Sequence, residues 1–301
     1  MTRAATVTHA TLTDVAARGG VLSIGNFDGV HLGHRLLLGR MREVARERDV
    51  PSVVVTFFPP ARVLFGGGQY LMTPAEKLVA LQEYEPDAVV SIPFDRGFAE
   101  TDKEAWLEQL AGLEPSLIVV GQDFRFGKGR VGGLDDLGRV AAALEAFPLL
   151  EVGGAVVSSS RVRELLGAGD VSGAGRLLGA PYLVRGVVTR GQRRGRQLGF
   201  PTANLAVPAG KALPRGVFAV TVAAGGRELP GMANVGPRPS FPEAPPALEA
   251  HLFDFAGDLY DTELDVRFVA HLRDQRPFGG VDELRAQLRR DERAARAALG
   301  L

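Results

Sequence analysis

An α/β unit followed by an all-β unit is the architecture the sequence predicts, and three observations predict it. Short β-branched runs alternate with helical periods as far as about residue 180. Beyond Pro181 the runs alternate apolar with polar and are punctuated by Gly and Pro. The chain of 301 residues exceeds one ordinary core and suits two domains, placed at 1–180 and 181–301.

Taking the elements in order, Val21 to Ile24, Val53 to Phe57, Ala88 to Ile92 and Leu117 to Val120 are continuous apolar runs bounded by polar, Gly or Pro residues. Such runs read as strands of a parallel sheet covered on both faces. Between them, Leu37, Met41, Val44 and Arg48 mark one helical face, with Leu38 and Ala45 beside it. Pro74 opens a second helix with Leu78 and Leu81 inward; residues 98–110 predict a third and 134–147 a fourth. Residues 160–178 predict two short helices separated by Gly167-Ala-Gly169-Asp170. The runs 182–189, 217–222, 248–255 and 264–269 predict antiparallel strands of a small barrel or sandwich. Residues 282–299 predict a closing amphipathic helix capped by Asp282, with Leu284, Leu288, Ala295 and Leu299 on one side.

Composition narrows the function. Hydrophobic residues make up 46% and charged residues 23%, which excludes disorder. Thirty-five basic and 35 acidic residues cancel, which argues against a general nucleic-acid binder. That zero is a sum of halves: residues 1–180 carry 18 basic and 22 acidic groups, residues 181–301 carry 17 and 13. The most apolar stretch, Val140 to Val157, is broken by Glu145, Pro148 and Glu151, so no membrane span is expected. The first residues lack the apolar core of a secretory leader, and there are no cysteines; a cytoplasmic location is expected. Only four lysines are present, so phosphate handling is expected to fall mainly on arginine, histidine and backbone N–H groups.

Gly25-Asn26-Phe27-Asp28-Gly29-Val-His31-Leu-Gly33-His34 follows the first of these strands and enters a helix. The C-terminal end of a parallel strand is where ligands sit, and a helix N-terminus favours an anion there. Two imidazoles three apart share a helical face and, as hydrogen-bond donors, are suited to hold the extra charge of a five-coordinate phosphorus. Two of the chain's five histidines fall in this one turn, which weakens the reading of an incidental strand–helix corner. A zinc site is disfavoured, because His9, His251 and His271 show no ligand spacing and no cysteine exists. Gly127-Lys-Gly129-Arg-Val-Gly132 satisfies a dinucleotide-type glycine pattern, but it starts well past the strand end and reads as a mobile loop. No P-loop signature is present.

The turn resembles the His-x-Gly-His nucleotidyltransferases. With Gly121-Gln-Asp123-Phe-Arg-Phe-Gly127 and Ser158-Ser159-Ser160-Arg161-Val-Arg163 it looks like the adenylyltransferase half of the bacterial bifunctional riboflavin kinase/FAD synthetases. The resemblance implies a Rossmann-like parallel-sheet nucleotidyltransferase domain with His31 and His34 catalytic. It further implies Gly25, Asn26, Phe27, Asp28, Gly29, Gly33, Asp123, Ser158, Ser159, Ser160, Arg161 and Arg163 around the nucleotide. Hydroxyls and forked guanidinium groups at a helix start suit a triphosphate. The sequence departs from the family at Pro60, where a histidine is usual, and at Gly133, where an acid is usual.

Gly186-Val-Val-Thr-Arg-Gly191-Gln-Arg-Arg-Gly195-Arg196-Gln-Leu-Gly199-Phe-Pro201-Thr202-Ala-Asn204 is dense in Gly and Arg and could cradle phosphates without a P-loop. Thr202 and Asn204 alternate along an extended run, so both face one way, and their oxygens suit Mg2+. Glu249, in an alternating strand, is a carboxylate that could take a substrate hydroxyl's proton; alone, an ordinary solvent-facing glutamate would be the better reading. This run, with Pro214-Arg-Gly216-Val-Phe218, Asn234-x-Gly-x-Arg238-Pro239-Ser-Phe241 and Glu249-x-His251-Leu-x-Asp254-Phe255, resembles the riboflavin kinase domain in the family's order. By resemblance, Gly191, Gly195, Arg196, Gly199 and Pro201 meet ATP, Thr202 and Asn204 hold Mg2+, Glu249 is the base, and Asn234, Arg238 and Phe241 meet the flavin.

The implied function is ATP-dependent phosphorylation of riboflavin to FMN and adenylyl transfer from ATP to FMN, giving FAD and pyrophosphate. The expected partners are these small molecules and Mg2+, with no nucleic acid or membrane, and the chain is expected to be a monomer or weak homo-oligomer. Two other readings stay open at this point: a riboflavin kinase lacking adenylyl transfer, and a flavin-binding protein without turnover.

Overall fold

The computed structural model describes residues 7–190, 198–236 and 247–301. Two compact units divide them, Met1–Ser159 and Ser160–Leu301.

The first unit runs β1 (Val7–His9), β2 (Val21–Ile24), α1 (Leu32–Arg48), β3 (Ser52–Phe58), α2 (Ala61–Gly66), α3 (Pro74–Gln82), β4 (Ala88–Pro93), α4 (Arg96–Ala99), α5 (Lys103–Ala111), β5 (Leu117–Gly121), α6 (Leu134–Leu137), β6 (Leu144–Phe147), and a small hairpin, β7 (Glu151–Val152) and β8 (Ala155–Val156). Six strands form one parallel sheet in the order β1-β4-β3-β2-β5-β6. Alternate residues of the central strands enter two separate cores, as a sheet covered on both faces requires. Leu22, Ile24, Val53 and Val55 pack with Trp106, Leu107 and Leu110. Val21, Val54 and Val89 pack with Leu37, Leu38, Met41 and Leu81.

Two predicted helices are corrected. The run 98–110 is broken after Ala99, and Asp102 restarts it by accepting at its side chain from Glu104 N–H (2.8 Å). The run 134–147 is a four-residue helix ending at Gly138, followed by an edge strand paired to β5. Its Ala-rich composition favours helix, but hydrogen bonding to the exposed edge of β5 outweighs that weak preference. The 127–132 glycine run is a tied turn, closed by mutual backbone bonds between Phe126 and Gly132 (3.0 and 3.2 Å).

The second unit contains α7 (Ser159–Gly167, which begins at the unit boundary), α8 (Val171–Leu178), β9 (Tyr182–Thr189), β10 (Ala203–Ala206), β11 (Gly216–Ala224), β12 (Arg227–Gly236), β13 (Ala247–Leu252), β14 (Glu263–Arg273) and α9 (Val281–Ala298). Its six strands close into an antiparallel barrel, β10-β13-β12-β11-β14-β9, rather than a sandwich. Closure removes the sheet edges. β13 alternates strictly: Leu248, Ala250 and Leu252 are buried, while Glu249 and His251 are half-buried on the opposite face. On that outer face Ala219, Met232, Phe200 and Phe253 pack with Ala295 of α9. The cap of α9 is Gly280, not Asp282, which instead lies in the first turn, where its charge favours the helix dipole. Arg273 anchors the helix through Asp291, whose carboxylate accepts at 2.8–3.0 Å from Nε and Nη2. Gly216 explains its motif: φ is +131°, and a Cβ there would lie 2.9 Å from the carbonyl oxygen of Arg273.

Candidate functional sites

The first site lies where β2 ends. Gly25 N–H still donates to Val55 O (3.0 Å), after which the chain leaves the sheet through positive φ at Phe27 (46°), Gly29 (90°) and Val30 (39°). For a β-branched valine this conformation is strained, and such strain persists only where the surroundings impose it. The surroundings are specific. Asp28, almost fully buried, accepts at Oδ1 from the N–H groups of Leu71 (2.8 Å) and Met72 (3.1 Å). Its carbonyl accepts from Ser159 Oγ (2.8 Å), which brings the start of the serine-arginine motif to this turn. Asp28 therefore braces the turn through backbone groups.

His31 caps α1: its Nδ1 accepts from His34 N–H (3.3 Å). An accepting Nδ1 leaves the proton on Nε2, as a donor. The two imidazoles stack at 3.6 Å with 15° between planes, and Phe27 meets His34 edge-on at 5.1 Å. Burial, followed by the neighbouring His31 and the Lys77 ammonium, holds His34 well below the ordinary 6.5. A stacked pair whose buried member, His34, resists protonation therefore stands at the N-terminus of a 17-residue helix.

Gly33 is in the first turn of α1, and Asn26 and Phe27 form the floor of the corner. Asp123 is exposed just past β5, the neighbour of β2, so it lies on the same edge of the sheet. Ser158 and Ser159 are half-buried, Ser159 being the first residue of α7. Ser160, Arg161 and Arg163 fall in the second unit on α7, where Arg161 pairs with Glu164 (3.1 Å) and Arg163 donates to Ser160 Oγ (3.4 Å).

Sequence reasoning missed Lys77. Only 2% exposed, its Nζ donates to Asn26 O (2.8 Å), Phe57 O (2.8 Å) and Thr56 Oγ1 (3.3 Å). Burial pushes it down to about 8 against the favourable field of Asp28. Rarity was its one signal, since the chain has four lysines. Also missed was an aromatic group beyond β3 and β4: Phe57, Phe94 and Phe98 in mutual contact, with Phe65 63% exposed against Phe94.

The second site is a cross-strand row on the barrel. Glu249 of β13 stands directly opposite Asn204 of β10 on one side and Asn234 of β12 on the other. Directly opposite residues of antiparallel strands share a face with Cβ atoms about 5 Å apart. A carboxylate is thereby set between two amides. Gln275, also unforeseen, donates from Nε2 to Asn234 Oδ1 (2.7 Å). Thr202 is exposed just before β10, and Pro201 O is held by His251 Nδ1 (2.7 Å). Buried Phe200 anchors the same run, and Gly199 turns it at φ +85°. Gly191, Gly195, Arg196, Arg238 and Phe241 lie outside the described residues. Among the described residues no group of His, Asp and Glu is arranged to hold a metal ion by itself.

A histidine-capped helix at the open end of a parallel sheet, together with a barrel carrying an amide–carboxylate–amide row, defines a two-unit transferase. Comparison with known proteins agrees: the FAD synthetase family model matches residues 14–161 and the riboflavin kinase model residues 178–299. The chain is 39% identical over 302 aligned residues to the bifunctional riboflavin kinase/FMN adenylyltransferase of Escherichia coli K12, covering 96% of each chain. It is 34% identical to the enzyme of the same description from Bacillus subtilis, covering 91% of each. A Streptococcus pneumoniae crystal structure described as a macrolide-efflux protein superposes with a TM-score of 0.88 at 29% identity, over 97% of this chain and 99% of that one. The chain belongs to the bifunctional riboflavin kinase/FMN adenylyltransferase family. Among its described residues no helix is long and apolar enough to cross a membrane.

Proposed function

We propose that residues 181–301 phosphorylate riboflavin with ATP and that residues 1–180 transfer AMP from ATP to the FMN so formed. The observation that carries this reading is the presence on one chain of two separate, chemically distinct sites, the His31–His34 stack and the Asn204–Glu249–Asn234 row.

In adenylyl transfer, an FMN phosphate oxygen attacks the α-phosphorus of ATP and pyrophosphate leaves. Charge grows on the non-bridging oxygens of that phosphorus. The N–H groups at the start of α1, its dipole and the Nε2–H of His31 supply fixed donors for it, and His34 completes the pair. Such donors act through position rather than bond making. Phe57, Phe94 and Phe65 meet edge-to-face and form an apolar aromatic group, in which the exposed ring of Phe65 offers a face to an isoalloxazine ring.

In phosphoryl transfer, the riboflavin 5′-hydroxyl attacks the γ-phosphorus and Glu249 accepts its proton. Asn204 and Asn234 flank the carboxylate, and Gln275 orients the amide of Asn234. Mg2+ fits the donor set here: Thr202 and Asn204 offer uncharged hard oxygens two residues apart in an extended run, and the triphosphate would supply the rest. Bound there, the ion would neutralise phosphate charge.

The test is a time course of the purified chain with riboflavin, ATP and Mg2+, resolving FMN from FAD. FMN must rise first and FAD follow. FMN without FAD would reject adenylyl transfer, and consumption of neither riboflavin nor ATP would reject both.

A further inference from the structure

Lys77 is a charged group buried without a hydrogen-bonded carboxylate. All three acceptors at its ammonium are main-chain or hydroxyl oxygens: Asn26 O, Phe57 O and Thr56 Oγ1. Burying an ammonium this way costs stability that an apolar side chain of similar length would not. What the charge obtains is geometric. The β2–β3 ladder ends at Ile24 and Val55, so Asn26 O and Phe57 O belong to chains that have already left each other. Lys77 spans them. Thr56 Oγ1 adds a second donor to Asn26 O (3.0 Å). The residue comes from α3, held by the capping box of Thr73 and Glu76, so its stem enters from a rigid element.

We infer that Lys77 is a positioning residue for adenylyl transfer: its ammonium ties the corner that presents His31 and His34 to the end of β3. The inference rests on the adenylyl-transfer reading above. The field supports it. The groups facing this pocket are Asp28 from the corner, Glu76 from α3, Tyr70 before it, and His31 and His34 from α1. Beside burial, the positive charge of Lys77 disfavours protonation of His34. A single ammonium thus ties the place of the imidazole pair and adds to the burial that keeps His34 unprotonated.

The experiment uses the full chain, because riboflavin phosphorylation on the barrel is an internal control. Lys77→Met keeps the stem and removes the charge; Thr56→Val removes one strut. FAD formation from FMN and ATP, FMN formation from riboflavin, and the NMR titration of the His34 imidazole are measured on each. For Lys77→Met, kcat for FAD formation is expected to fall about 10- to 100-fold, the worth of a hydrogen bond to a charged group. Riboflavin phosphorylation is retained, KM for ATP changes little, and the His34 titration moves to higher pH. Thr56→Val lowers the same kcat less, with the kinase step intact. Unchanged FAD formation in Lys77→Met overturns the inference; so does a parallel loss of both activities with an unmoved His34 titration. If Lys77→Met does not fold, a wild-type rate in Thr56→Val overturns it. Wild-type protein that makes no FAD defeats the underlying reading instead.

Discussion

Glu249→Gln separates a catalytic carboxylate from a merely polar strand residue. Glu249 is half-buried on β13, between Asn204 and Asn234. Glutamine preserves its length and nearly its volume, while removing the only group in the row able to accept a proton. Folding should therefore be disturbed by no more than about 0.5 kcal/mol, as for a substitution that makes no cavity and buries no charge. The catalytic loss should be far larger. A positioned general base contributes about 10²- to 10⁴-fold, which corresponds to roughly 3–5 kcal/mol of barrier. The assay follows FMN from riboflavin at saturating ATP and Mg2+, with FAD formation from supplied FMN run on the same preparation. Riboflavin phosphorylation should collapse in kcat with little change in KM, and FAD formation should stay at the wild-type rate. A kcat for riboflavin within a few-fold of wild type would refute the assignment and leave Glu249 as an orienting residue.

Three further outcomes are expected. His34→Ala should lower FAD formation by about two orders of magnitude or more, while FMN formation from riboflavin is spared; chromatography of both products checks it. Asp291→Ala should destabilise the barrel unit by about 3–5 kcal/mol, read as a lower Tm, because it leaves the Arg273 guanidinium uncompensated. Lys77, at about 8 when folded and 10.5 when exposed, gives a sign for pH. Between those values the unfolded chain holds the proton and the folded chain does not, so stability rises with pH, by up to about 3 kcal/mol across the window. Urea unfolding of wild type minus Lys77→Met, compared at the two ends of the window, should display that rise.

Much of this was legible in the sequence, because the central strands are continuous apolar runs with Gly or Pro at their ends. The strand at 182–189 and the paired helices around 167–170 follow from period and punctuation alone. What escaped had non-local causes. β12 carries Pro230 and Gly231 in its middle, a composition that argues against a central strand. Its true signal was the two-residue turn Gly225-Gly226, both at positive φ, joining Ala224 to Arg227. The histidine corner was readable because its parts are contiguous. Lys77 was not, since its three acceptors lie 51, 21 and 20 residues away. Gln275 likewise meets Asn234 because β12 and β14 both pair with β11, 41 residues distant in sequence.

Net charge misleads about the first unit in an instructive way. Its acidic excess suggests that ATP and FMN, both anions, would be repelled. The structure places many of those carboxylates in ion pairs: Glu145 with Arg40, Asp136 with Lys103, Glu85 with Arg42, Glu104 with Arg139 and Glu100 with Lys128. Asp28, at the corner itself, turns an oxygen to the backbone N–H groups of Leu71 and Met72. Fields from paired surface charges are short-ranged in salt. What stands at the end of β2 is the local arrangement: the amides that open α1, the imidazole pair, and the buried ammonium of Lys77. Recognition of an anion by an acidic unit therefore requires no basic surface. On the proposed reading it requires that the few donors be aimed, and the bonds from Lys77 to Asn26 and Phe57 would aim them.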